Sequence, residues 1–156
     1  MVTQSLVTSR LDFCNSLLNG ISSSDVKRLQ SVQNSAARLV KKVRRTEHIS
    51  PVLKELHWLP IEKRIIFKVC TIAYKCVKTD GMPAYLCNIL KPYQPSRVLR
   101  SCEKELLAEH HSRTKRGDRA FVSAAPRLWN MLPLQLRQAP SVSSFKRLLK
   151  SFLFPQ

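Results

Sequence analysis

The sequence predicts a mainly α-helical bundle of about five to seven helices, and three observations carry that reading. Apolar residues return at spacings of three and four through several separate stretches. The punctuation between them suits helix ends: Asn19-Gly20, Pro60, Thr79-Asp80-Gly81 and Ser141 after Pro140. Only one segment, near 104–124, reads instead as a small β-hairpin.

The longest pattern lies between His48 and Lys78 and is broken at Trp58-Leu59-Pro60. Proline removes a backbone donor, disfavours helix at the residue before it and suits the first helical position. From Ile61 to Val77, Ile65, Val69, Ile72, Ala73 and Cys76 form an apolar stripe that Ile66, Phe67, Cys70 and Tyr74 widen. Arg64, Lys68, Lys75 and Lys78 share the opposite side within roughly 80° of arc. The helix is therefore expected at the centre of a core, with one narrow basic stripe in water.

Before it, Val7, Leu11, Cys14 and Leu18 predict a helix over 4–19. Serines and Asp25 then cap a second helix, over 26–43, with a heptad-like seam of Leu29, Val32, Ala36, Leu39, Val40 and Val43. Its last turn holds Lys41, Lys42, Arg44 and Arg45, more cations than the helix dipole alone requires. After the central helix, Met82 to Leu90 reads as a short helix and KPYQPSR as an extended linker. Arg113, Lys115, Arg116 and Arg119 surround Gly117-Asp118, a turn signal leading into AFVSAA, the candidate second strand. Pro126 suits the start of a helix carrying Leu128, Trp129 and Leu132. Ser141 then caps a final helix with Val142, Phe145, Leu148, Leu149 and Phe152 on one face. The expected organisation is a helical bundle over 1–91, a linker over 92–102 and a small basic subdomain over 103–156 packed on it.

Lysine and arginine total 27 against 10 acidic residues, a formal net charge of +17 spread along the chain, while 44% of residues are hydrophobic. A folded chain this positive points to a polyanionic partner, RNA or DNA before a membrane surface. No apolar run reaches the roughly 18 residues needed to span a bilayer, and the first residues lack a secretory signal's order. Five cysteines without paired spacing read as reduced thiols, so the expected location is intracellular, cytoplasmic or nuclear. Cys102 with His110 and His111 is too loose a set for zinc.

Catalytic patterns are missing. The four aspartates lie in separate elements, the three glycines stand far apart, and no H-E-x-x-H occurs. His48 and His57 read as residues lining the fold. No cofactor, metal site, small-molecule substrate or catalytic residue is implied, and the chain reads as a binder. Its candidate phosphate contacts are Lys41, Lys42, Arg44 and Arg45, then Arg64, Lys68, Lys75 and Lys78, then Arg113, Lys115, Arg116 and Arg119. Trp58 and Trp129 read as core residues rather than base-stacking platforms.

Six stretches, SRLDFCNSLLNG, LQSVQNSAARLVKK, HISPVLKELHWLPIEKRIIFKV, MPAYLCNIL, SRTKRGDRAFVSAAPRLWNMLP and SVSSFKRLLKSFLF, in this order, resemble the C-terminal portion of the reverse-transcriptase polyprotein of non-LTR retrotransposons of the jockey-like kind. The resemblance covers nearly the whole chain. It implies a helical thumb-like region and C-terminal extension of an RNA-directed DNA polymerase, gripping template RNA and target DNA. The polymerase aspartates and the endonuclease of that family lie upstream, so the resemblance implies no catalysis here and adds the absent palm as a partner. ELLAEHHSRTK departs from the family, where an apolar run ends in proline before the basic turn. Such elements are copied from the 3′ end of their RNA and stop early. The alternative expectation is thus a relic or domesticated helical interaction module, with Met1 simply the first available start.

Overall fold

Eight α-helices run through the computed structural model, which describes residues 4–79, 82–95 and 105–154. They are α1 (Ser9–Asp12), α2 (Ser23–Lys41), α3 (Ile49–Glu55), α4 (Ile61–Lys78), α5 (Ala84–Ile89), α6 (Phe121–Asn130), α7 (Leu134–Arg137) and α8 (Val142–Leu153). No strand forms among the described residues, and the mainly helical expectation holds. The chain divides into two units, Met1–Ile65 with Leu153–Gln156, and Ile66–Phe152.

In the first unit the expected opening helix is broken into three pieces. A π-helical turn, Gln4–Thr8, runs into α1, and a 3-10 turn, Asn15–Leu18, follows Cys14, which sits at φ 51°. A left-handed residue cannot continue an α-helix. Cys14, expected on an apolar face, is exposed. The entry to α2 follows the capping logic: Ser22 Oγ accepts from the Asp25 N–H at 3.1 Å. Two non-glycine residues close helices in the left-handed region. Lys42, at φ 55°, ends α2, with the Val43 N–H reaching back to the Arg38 carbonyl; His57, at φ 54°, follows α3, with the Trp58 N–H donating to Leu53 O.

The core of this unit is Ala36, Ala37, Val52, Leu53 and Trp58, with Val7, Val43, Ile49 and Leu56 around it. The buried face of α2 is Gln33, Ala36 and Ala37, so of the heptad-like seam only Ala36 is buried on it, while Val32 and Leu39 are 52% and 69% exposed. Alanines let α3 approach closely, and Gln33 is admitted because its amide donates to Leu59 O at 2.8 Å. Gln30 Oε1 accepts the Ile61 N–H at 2.9 Å, so α2 supplies a side-chain partner for the first turn of α4.

The second unit holds most of α4 and the helices from α5 to α8. Tyr74, Trp129 and Phe145 meet at its centre; the Tyr74 and Phe145 rings stack at 4.4 Å between centroids, with Trp129 6.4 Å and 6.0 Å from them. Tyr74 Oη donates to Ala139 O at 2.6 Å and Trp129 Nε1 to Glu105 O at 2.8 Å, so both polar tips are satisfied. Ala73 and Ala125 are fully enclosed nearby.

Two expectations fail in this unit. The hairpin near 104–124 is absent, because AFVSAA supplies the beginning of α6, whose Ser123, Ala124 and Ala125 are buried on a helical face. Helix α6 accordingly starts at Phe121, and Pro126 lies inside it rather than opening it. Residues 92–95, the described start of the expected linker, pair with the chain that follows it. Tyr93 N–H donates to Leu106 O at 2.9 Å and Ala108 N–H to Lys91 O at 2.8 Å, a single antiparallel bridge at Pro92 and Leu107. Asn130 then clamps Leu107 through both its N–H and its carbonyl, each at 3.0 Å. The described part of the linker is thereby tied into the second unit. Residues 96–104 lie outside the described set, and with them Ser96 to Cys102 of the expected linker and Cys102 of the Cys-His set.

Candidate nucleic-acid interface

Five of the expected phosphate-binding residues fall in the first unit. Helix α2 ends at Lys41, and the tight left-handed exit at Lys42 brings Arg44 and Arg45 directly after it; Lys42, Arg44 and Arg45 are exposed. Arg38 holds this turn together by donating to the carbonyls of Arg44 and, at 2.7 Å, Glu47. Its guanidinium thus serves the backbone and frees its neighbours to face water. Lys41 is ion-paired with Glu55 on α3. Between Arg38 and Lys54 stand six basic residues against Glu47 alone.

Arg64 does not belong with them. Its side chain is 12% exposed, its Nη1 donates to both carboxylate oxygens of Asp12 at 2.7 Å, and its Nε donates to Leu59 O at 2.9 Å. This guanidinium joins α1 to the start of α4, with its donors committed inside the fold. The expected basic stripe of α4 therefore loses its first member.

The other seven lie in the second unit. Lys68 is exposed and Lys75 half-buried on α4, whereas Lys78 is ion-paired with Glu105 at 2.7 Å. Arg113, Lys115, Arg116 and Arg119 are all exposed. Their loop is tightly wound. Ser112 Oγ accepts the Thr114 N–H at 3.2 Å, Thr114 Oγ1 accepts the Gly117 N–H at 3.0 Å, and Gly117–Arg119 closes as a 3-10 turn. Gly117 is required there, because a Cβ would stand 1.9 Å from Ser112 Oγ. The acid within the loop, Asp118, is engaged by Arg127 at 3.4 Å. Four cations are thus displayed on a short ordered turn. Lys146 and Arg147 add exposed charge on α8.

Other ionisable groups are withdrawn from chemistry. Arg137 is 5% exposed, and burial lowers its pKa while the Glu105 charge opposes that shift. Burial pushes the Cys70 thiol up to about 12. Cys76 is raised to about 11, first by burial and then by its neighbour Cys87. Neither is a nucleophile at neutral pH. His48 and His57, expected to line the fold, are exposed instead. Among the described residues, no three His, Cys, Asp or Glu side chains gather as a metal site requires, and no helix is long and apolar enough to cross a membrane. Trp58 and Trp129 are buried, as core residues.

Sequence reasoning missed Arg38, which shapes the first cluster, and Lys54, which extends it. Arg38 lies at helical spacing from a basic residue, three before Lys41, and that spacing was the available signal; Lys54 has no such neighbour.

The fold and its charged surfaces define a mainly helical, strongly basic protein of two units. Comparison with family models, curated proteins and solved structures finds no match.

Proposed function

We propose that the chain is a non-catalytic nucleic-acid-binding protein that holds RNA or DNA through its phosphates, in the manner of the C-terminal region of a non-LTR retrotransposon reverse transcriptase. The observation that carries this reading is the Arg113–Arg119 turn: four exposed cations on an ordered platform whose own acid is occupied by Arg127. A surface that only solvates its fold intersperses acids with its bases; here the bases stand alone, as phosphate contacts require. Lys42, Arg44 and Arg45 repeat the arrangement in the first unit, and Lys68 supports it on α4.

The test is equilibrium binding to a structured RNA and a matched duplex DNA across a salt series. Each phosphate contact contributes roughly 0.9 to the slope of log affinity against log salt on duplex DNA, and roughly 0.7 on single strands. Changing Arg113, Lys115, Arg116 and Arg119 together to glutamine should reduce the duplex slope by about 3.6. An unchanged slope in a folded variant removes the turn from the interface.

A second reading is favoured by a separate observation. Val32, Leu39 and Val40 leave apolar surface exposed on α2, as a helical protein-interaction module would. Under that reading nucleic acid fails to bind at low salt, and Leu39→Glu abolishes capture of a helical partner.

A further inference from the structure

A cleft of about 430 Å³ opens in the first unit beside α3. Its walls are apolar and largely flat: Pro51, Pro60, Trp58 and Phe154, with Leu53 among them. Two polar residues line it, Ser50 and Lys54, which lie one helical turn apart on α3. Lys54 is exposed and makes no ion pair among the described residues. The volume falls toward the small end of ligand sites, roughly 300–1,000 Å³, enough for one nucleoside and too little for a packed helix.

The lining selects the ligand class. A metal ion has no carboxylate or imidazole here to hold it, and a highly polar sugar has too few hydrogen-bond partners. A flat ring with an anionic group beside it suits both features. The ring displaces water from the proline and aromatic walls, and the anion meets Lys54. The basic run from Arg38 to Lys54, with Glu47 its one acid, favours a ligand that belongs to a polyanion.

We propose that this cleft takes one unstacked base of a single-stranded nucleic acid, with Ser50 at the polar edge of the base and Lys54 on the adjoining phosphate. The proposal rests on the nucleic-acid-binding function above and adds to it a preference for single strands that expose their bases. Stacking of a base on apolar and aromatic side chains makes the interaction tolerant of sequence.

The experiment compares the full chain binding a single-stranded oligonucleotide of about 12 residues with its binding to a strand of equal length and charge that lacks bases. Base stacking is worth ~1–3 kcal/mol, so the base-bearing strand should bind about 5- to 150-fold more tightly. It should also quench the fluorescence of Trp58, while the fully buried Trp129 provides a constant background. Ser50→Phe obstructs the cleft from an exposed position and should remove both effects without changing the salt slope. Lys54→Gln should lower that slope by about 0.7. Equal affinity for both strands, with a normal salt slope, overturns the base cleft while leaving the electrostatic function standing. Failure of both strands to bind at low salt overturns the function and the cleft together. Quenching by an acidic aromatic peptide, with no difference between the strands, assigns the cleft to a protein partner and refutes the proposal.

Discussion

Replacing Arg64 with glutamine should lower the stability of the first unit by about 2 kcal/mol, whereas replacing Lys68 should change stability by no more than about 0.5 kcal/mol. Both residues lie on α4 and share one side of its helical wheel, so the difference follows from their partners. Arg64 gives two charge-assisted hydrogen bonds to Asp12 and a third to Leu59 O, and its side chain is 12% exposed. A fully exposed pair would contribute about 0.2–1 kcal/mol, and breaking a fully buried one would cost ~3–5 kcal/mol. Asp12 is 44% exposed and can rehydrate, and Leu59 O retains the Gln33 amide, which places the loss between those limits. For a unit of this size, 2 kcal/mol corresponds to a fall in Tm of roughly 8–16 °C. Urea unfolding followed by tryptophan fluorescence measures it, and a double-mutant cycle with Asp12→Asn isolates the pair, with an expected coupling of ~1–2 kcal/mol. If Arg64→Gln is as stable as Lys68→Gln and weakens nucleic-acid binding to the same degree, Arg64 is an interface residue and the reasoning fails.

Three more predictions concern single groups. Lys42→Gly should stabilise the chain by about 1 kcal/mol in a thermal or urea melt, because glycine adopts φ 55° without the Cβ penalty. Cys70 titrates at about 12 in the folded chain against 9.0 for the unperturbed thiol. Its contribution is complete below pH 9 and is lost as pH rises through that window, by about 1.4 kcal/mol per pH unit; alkaline melts of Cys70→Ala should decline less steeply than those of the parent chain. Finally, Cys76 and Cys87 are neighbours close enough for one to raise the other's pKa, so treatment with a thiol oxidant such as diamide should join them with loss of two hydrogens. Mass spectrometry reads that change, and it should be absent in Cys76→Ser.

The helix pattern was most legible where chain chemistry decides locally. Helix α4 was expected from Ile61 and begins there, since Pro60 sets the boundary and its apolar stripe persists for five turns. The final helix was equally plain, with Ser141 Oγ accepting the Ser144 N–H at 3.2 Å. What periodicity cannot show is a partner far along the chain. The wheel placed Arg64 and Lys78 beside Lys68, yet Arg64 meets Asp12 and Lys78 meets Glu105. Gln30, Gln33 and Asn130 carry no signal in the helical pattern, and each satisfies backbone groups of a distant segment. AFVSAA failed for another reason: a short apolar run fits a strand or a buried helical turn, and only its neighbours decide. Of the candidate contacts, the Arg113–Arg119 cluster was the easiest to find, because a dense local run of charge around a turn has few internal partners.

Three alanines are wholly enclosed, Ala37 in the first unit and Ala73 and Ala125 in the second, where they share the interior with the equally enclosed Trp129, Phe145 and Leu149. This makes the fold's tolerance of mutation asymmetric. Where a large residue such as leucine fills a core, trimming leaves a void that neighbours can partly collapse into. Where alanine already marks closest approach, nothing smaller than glycine is available, and every enlargement pushes two backbones apart. Substitution at these three alanines should therefore destabilise by crowding, and alanine-to-valine changes there would reveal close helix contacts that an alanine scan passes over.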